Sequence, residues 1–133
     1  MTFLRLTLVV ALAAFLAGCE SATIKSLQQD LKTLFQVPKG AQDRADGIKQ
    51  YEDANYSEAA RLLQSSLDQG LGRDDQVTAH KYLAFIHCIS GREQRCRDEF
   101  RAALKIDPSF ELAANEAGHP IWGPAFRSAK GRK

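Results

Sequence analysis

Two stretches of this chain carry small residues and large apolar residues in a similar order, 37 residues apart. Gly47 corresponds in this way to Ala84, and Leu63 corresponds to Phe100. The other corresponding pairs are Tyr51 with Cys88, Ala54 with Gly91, Ala59 with Cys96, Ser66 with Ala103, and Leu67 with Leu104. A period of this length is typical of proteins that stack one supersecondary unit on the next. The pattern therefore predicts two copies of one unit.

Each unit has the composition and the breaks of a helical hairpin. No stretch alternates with period two for long enough to indicate a strand, so the predicted fold class is all-α. We predict helices over 41–53, 57–69, 75–89 and 93–105, a fifth helix beginning over 110–116, and a short last segment over 121–126. The turns are short, so consecutive helices should pack antiparallel. Gly47 should face Ala59, and Ala84 should face Cys96, where the helices approach closely.

These hairpins resemble the tetratricopeptide repeat (TPR) family. The first copy carries Gly47, Tyr51 and the string Ala-Asn-Tyr-Ser-Glu-Ala-Ala over 54–60, and the second carries Leu83, Ala84, His87, Cys96, Phe100, Ala103 and Pro108. The resemblance implies about two degenerate repeats over 41–108, because the first copy lacks the closing proline and neither has the early tryptophan. Extra residues in the first copy predict a longer, mobile loop over 70–75. An unrelated helical bundle is the alternative.

Two repeats bury too little surface to be stable alone, so flanking segments should cap them. The 22–36 segment has apolar residues at helical spacing, namely Ile24, Leu27, Leu31, Leu34 and Phe35. It is expected to be either a capping helix or a tether within 19–40. The 109–133 region is expected to be a C-terminal cap with a basic tail. Within it, Trp122 and Phe126 either seal the core or contact a partner.

The N-terminal residues 1–18 have the pattern of an export signal. Arg5 precedes an apolar run over 6–17 in which Thr7 is the only polar residue, and this run is too short to span a bilayer. A buried N-terminal helix is the alternative, but a surface helix would show a polar face. The following sequence, Leu-Ala-Gly before Cys19, resembles the bacterial lipobox. The resemblance implies cleavage before Cys19 and a covalent lipid on it, the only cofactor expected.

Glu20, rather than aspartate, follows Cys19 and resembles the sorting pattern of lipoproteins passed to the outer membrane. The implied location is the periplasmic face of that membrane, with the protein held there by its acyl chains. The full chain has a net charge of only +2, which gives no reason to expect a nucleic-acid partner.

The titratable residues give no pattern of catalysis. The three histidines, His80, His87 and His119, lack zinc-type spacing, and no nucleophile motif or phosphate loop is present. We therefore predict no metal, no small-molecule substrate and no enzyme activity. Cys88 and Cys96 flank a hairpin turn, and the oxidising periplasm would allow a structural disulfide between them. Reduced, buried thiols are the alternative.

In TPR proteins the first helix of each repeat lines a concave groove. When this sequence is matched to the positions of the family's repeat, the resemblance implies that the groove is lined by Arg44, Ile48, Tyr51, Glu52, Lys81, Phe85, Cys88 and Ile89. Such a face suits a peptide with apolar anchors and a carboxylate. Alternatively, Ile48 and Phe85 simply pack on neighbouring helices.

The C-terminal stretch over 119–126, His-Pro-Ile-Trp-Gly-Pro-Ala-Phe, resembles that of small TPR lipoproteins associated with type VI secretion (TssQ-like). The resemblance implies a lipid-anchored adaptor that binds envelope proteins of a secretion machine. A pilotin-like lipoprotein for secretin or pilus assembly is one alternative. A cell-wall-associated structural lipoprotein or enzyme regulator is another.

Overall fold

The computed structural model describes residues 37–131 together with Leu27 and Leu31. The chain divides into the units Met1–Gln36 and Val37–Lys133, and the fold below is that of the second unit. The predicted signal peptide over 1–18, Cys19, most of the 19–40 tether and the last two residues of the basic tail lie outside the described residues. No described helix is both long enough and apolar enough to cross a membrane.

The described part of the chain is helical and contains no strand, which confirms the all-α class. Its helices are α1 (Gly40–Glu52), α2 (Tyr56–Gln69), α3 (Arg73–Ile89), α4 (Glu93–Ile106), α5 (Ala114–Ala117) and α6 (Trp122–Gly131). The first four begin and end within two residues of the predicted bounds. The main packing partners are α1 with α2 and α3 with α4, and α2 against α3 joins the two hairpins.

The turns of the two hairpins have the same backbone geometry. In the first, the N–H of Ala54 donates to the carbonyl of Tyr51 and the N–H of Asn55 donates to that of Gln50. This bond pair is the Schellman motif, which requires a left-handed residue after the helix. Ala54 supplies it with φ 60°.

The second hairpin repeats this turn 37 residues later. Gly91, with φ 71°, donates to Cys88, and Arg92 donates to His87. A side-chain hydrogen bond also spans each turn. Asn55 Nδ2 donates to Gln50 Oε1 at 2.9 Å in the first turn, and Arg92 Nε donates to His87 Nδ1 at 2.9 Å in the second. The sequence repeat thus coincides with a repeated hairpin turn.

The linker between the hairpins is shorter than predicted. The prediction of a longer loop over 70–75 is wrong, because α3 already begins at Arg73 and only residues 70–72 separate the helices. Leu71 in this linker is buried in the core, and its carbonyl accepts a hydrogen bond from Gln76 Nε2 at 2.9 Å. The neighbouring carbonyl of Gly70 accepts one from the N–H of Gly40 at 3.2 Å. Burial and hydrogen bonds therefore anchor the linker.

Two apolar clusters fill the interior. One lies within and between the hairpins and contains Ala59, Leu63, Leu71, Ala79, Leu83 and Ile86. The other lies between the second hairpin and the C-terminal segment and contains Ala84, Phe85, Cys88, Cys96, Phe100, Leu112, Phe126 and Ala129. The close contact of Gly47 is with Leu63, since a Cβ on Gly47 would lie 2.9 Å from Leu63 Cγ.

The C-terminal segment packs against the second hairpin and ends in a longer helix than the sequence indicated. The expected short segment over 121–126 is extended to Gly131 as α6, whereas the helix expected over 110–116 is reduced to the four residues of α5. Phe126 of α6 is buried with its ring centroid 5.2 Å from that of Phe100. Phe126 thus seals the core.

Candidate protein-binding surface

Helices α1 and α3 lie side by side and bring most of the predicted groove residues onto one face. Arg44 of α1 pairs with Asp75 of α3 at 3.1 Å. The Tyr51 ring lies 5.1 Å from Tyr82 and 6.3 Å from Phe85 between ring centroids. Ile48 is half-buried against the core cluster of the hairpins. Helices α1 and α3 therefore contribute to one surface.

Phe85 does not lie on the open part of this surface. Its side chain is only 2% exposed, and the Trp122 ring stacks on it with a centroid distance of 4.4 Å. It also contacts Phe100 edge to face at 6.1 Å. Phe85 is therefore a core residue, because the C-terminal segment returns across α3 and covers it.

Lys81, one of the two basic residues assigned to the groove, is paired within the molecule. Its Nζ donates to Glu116 Oε1 at 2.7 Å and lies 5.0 Å from the centroid of the Tyr82 ring. Glu116 is fixed in turn, because its Oε2 accepts a hydrogen bond from the N–H of Ala113 and its carbonyl accepts one from Trp122 Nε1. The carboxylate that the groove was expected to bind is thus supplied by the chain itself. The local sequence around Glu116 gives no signal of this contact.

All three tyrosines of the chain converge at the edge of this face. Tyr51 is central, with Tyr56 5.6 Å away and Tyr82 5.1 Å away between centroids. Burial raises the pKa of Tyr51 to about 12, and Tyr56, Tyr82 and the carboxylate of Glu116 act in the same direction. Its hydroxyl therefore stays protonated at physiological pH. Tyr56 is 38% exposed, and aromatic groups with a polar tip are enriched in protein interfaces.

The remaining assigned residues take less central positions. Glu52 is exposed at the end of α1, and Ile89 is half-buried at the end of α3. Cys88 and Cys96 form a disulfide with their Cα atoms 5.1 Å apart, a separation in the ordinary range for such bridges. The bridge joins the last turn of α3 to the first turn of α4.

The histidines lie in three separate environments. His80 Nδ1 contacts Glu99 Oε2 at 2.7 Å, and His119 stacks on Trp122. The pKa of His87 is lowered, first by burial and then by the positive charge of Arg92. Within 37–131, no group of three or more His, Cys, Asp or Glu side chains is placed to hold a metal ion.

The candidate binding surface is the open part of the α1–α3 face, formed by Ile48, Tyr51, Glu52 and Tyr82 together with Tyr56 at the start of α2. It offers half-buried aromatic and aliphatic groups with a carboxylate at one end. Comparisons of the chain with protein-family models, curated proteins and solved structures give no match. The assignment of a binding surface rests on these residues and their geometry.

Proposed function

We propose that this chain is a lipid-anchored adaptor of the TPR type that binds protein partners in an envelope secretion machine. The observation that supports it best is the recurrence of the hairpin turn, with the same hydrogen bonds around Ala54 and Gly91. Repeated helical hairpins stack into extended surfaces that bind other proteins. The proposal includes no catalytic residue, metal or small-molecule substrate.

The proposed place of action is the periplasmic face of the outer membrane. The apolar run over 6–17 and the Leu-Ala-Gly sequence before Cys19 support lipidation of Cys19, and Glu20 supports sorting to that membrane. The 119–126 sequence supports a type VI secretion adaptor, since it resembles the TssQ-like lipoproteins. The partners would then be envelope proteins of that machine.

The proposed partner surface is the open α1–α3 face. Lys81 and Phe85 are engaged by Glu116 and Trp122, so a partner would first contact Tyr51, Tyr82 and Glu52. Aromatic groups of this kind supply contact area with little loss of side-chain freedom on binding. A partner segment with apolar anchors fits this face better than a strongly charged one.

Photo-crosslinking in intact cells tests the proposal. A photo-reactive amino acid replaces Glu52 on the proposed face, and a control replaces Gln64, which is exposed on α2. We expect the probe at position 52, and not the one at 64, to capture envelope components of a contractile secretion system. Capture of a secretin or pilin component would instead identify a pilotin. The absence of any specific product at position 52 would contradict the adaptor function.

A further inference from the structure

A small hollow lies at the turn end of the molecule, between the two hairpins, and it borders the α1–α3 face at Tyr56. Its volume is about 200 Å³, and it is lined by Tyr56, Ser57, Ala60, Ile86, Ser90 and Arg92. Ile86 is 1% exposed and belongs to the core, so the apolar floor of the hollow is fixed. Pockets for independent small molecules usually measure about 300–1,000 Å³. This hollow suits one aliphatic side chain of a docked segment.

Positive charge lies beside this hollow, because Arg92 lines it and shares a neighbouring surface hollow with Arg95. Other arginines on α4 are paired, Arg97 with Glu93 and Arg101 with Asp98. Arg92 and Arg95, by contrast, form no salt bridge with any residue in the described part of the chain. Both side chains are exposed.

The two guanidinium groups act on a common neighbour. Arg92 Nε donates to His87 Nδ1 at 2.9 Å, which leaves the two Nη groups of Arg92 without a carboxylate. Burial is the main cause that lowers the pKa of His87, and Arg92 and Arg95 lower it further, while Glu99 opposes them. The positive charges of Arg92 and Arg95 lie close together, with Arg92 on the edge of the hollow and Arg95 one turn further along α4. The adjacent N-terminus of α4 favours negative charge as well.

We propose that the hollow, with Arg92 and Arg95, is a docking surface for an acidic, extended segment of a partner protein. An aliphatic side chain of that segment fills the space over Ala60 and Ile86, and its neighbouring carboxylates bind the guanidinium groups. Arginine is suited to this role because its planar fork can bind both oxygens of a carboxylate. The exposed ring of Tyr56 borders the hollow and provides an apolar wall. This surface adjoins the α1–α3 face at Tyr56 but does not depend on the proposed adaptor function.

Methyl NMR of the full chain in a mild non-ionic detergent tests this docking surface. The probe is a capped peptide with one isoleucine between two glutamates. Control peptides carry glutamine in place of both glutamates, or glycine in place of isoleucine. We expect the probe to shift the methyl resonances of Ala60 and Ile86, and each control peptide to bind more weakly.

Charge variants of the protein distinguish a contact between the peptide and Arg95 from general electrostatic attraction between the peptide and the protein. Arg95 makes no hydrogen bond to another described side chain, so Arg95→Gln should leave the fold intact and weaken binding of the probe about five-fold. Lys105→Gln removes the same charge from the exposed last turn of α4 and should leave the affinity unchanged. Equal effects of the two variants would overturn the proposal.

Two other anionic probes test the class of partner. Phosphatidylglycerol vesicles and a short DNA duplex carry negative charge without an aliphatic side chain for the hollow. If either shifts the Ala60 and Ile86 methyl resonances while the acidic peptide does not, the site does not bind a protein segment. If the peptide alone shifts them, and Arg95→Gln weakens that effect, the docking surface is supported.

Discussion

Ala54→Gly in the first turn and Gly91→Ala in the second should change the free energy of unfolding in opposite directions. Ala54 has φ 60°, and a left-handed conformation costs a residue with a Cβ about 1–2 kcal/mol. Glycine avoids that cost but loses about 0.5–1 kcal/mol more backbone entropy on folding. Ala54→Gly should therefore raise the free energy of unfolding by about 0.5–1 kcal/mol. Gly91→Ala should lower it by a similar amount.

The local surroundings make this a test of backbone conformation alone. A Cβ on Gly91 would meet no atom within 4 Å, so Gly91→Ala introduces no steric overlap. Ala45→Gly is the matched control, because Ala45 is exposed within α1. The same chemical change there should lower the free energy of unfolding by about 1 kcal/mol. Ala54 differs from this control in its positive φ and in its position in the turn after α1.

Urea unfolding of the full chain, followed by the fluorescence of Trp122, measures these differences. Trp122 is the only tryptophan, and it reports on the contact between the C-terminal segment and α3. The double variant Ala54→Gly with Gly91→Ala should have nearly the same free energy of unfolding as the parent, since effects at separated sites add. If Ala54→Gly destabilises the chain as Ala45→Gly does, the left-handed turn and the structural repeat are refuted.

Three further changes should alter stability by different mechanisms. Replacing Cys88 and Cys96 by alanine opens a bridge of sequence separation 8, and should lower the free energy of unfolding by about 2.5 kcal/mol in a urea titration. Gly47→Ala places a Cβ 2.9 Å from Cγ of the buried Leu63 and should cost about 1–2 kcal/mol, measured by thermal unfolding. The pKa of Tyr51 is raised to about 12, so its stabilising contribution is present below pH 10 and should be lost as the pH rises towards 12.

Matched controls make these three results decisive. The cysteine variant and the parent should become equally stable in a strong reductant, and a remaining difference would mean that lost packing dominates. Gly72→Ala should be nearly neutral because no atom lies within 4 Å of its added Cβ, and equal losses at Gly47 and Gly72 would contradict the close contact. Tyr51→Phe should reduce the loss of stability above pH 10, and an unchanged loss would contradict the assignment to Tyr51.

Local patterns in the sequence predicted most of the helical framework. Spacing of apolar residues and short polar breaks located the first four helices to within two residues. The loop between the hairpins was misjudged because the extra residues of the first copy, near Gly70 and Gly72, were interpreted as a longer, mobile loop. Leu71 between them packs into the core, and Asp74 and Asp75 lie in the first turn of α3, where acidic residues interact favourably with the helix dipole. The acidic pair was the local signal for the earlier start.

The candidate binding face was harder to predict because its exposure depends on distant parts of the chain. Helical spacing places Phe85 on the same side of α3 as Lys81, but it cannot show what packs over them. That covering comes from Trp122 and Glu116, which are more than thirty residues away in sequence. Similarly, Tyr56 and Tyr82 join Tyr51 only when α1, α2 and α3 pack together. No local motif carries such contacts.

The C-terminal segment therefore limits how a partner can use the α1–α3 face. A partner that bound Lys81 and Phe85 would have to displace both the Glu116 carboxylate and the Trp122 ring. Trp122 is held by a hydrogen bond from its Nε1 to the Glu116 carbonyl as well as by stacking, so displacement would break several contacts at once. Binding at Tyr51 requires no such loss. The geometry thus favours a partner that binds beside the C-terminal segment over one that replaces it.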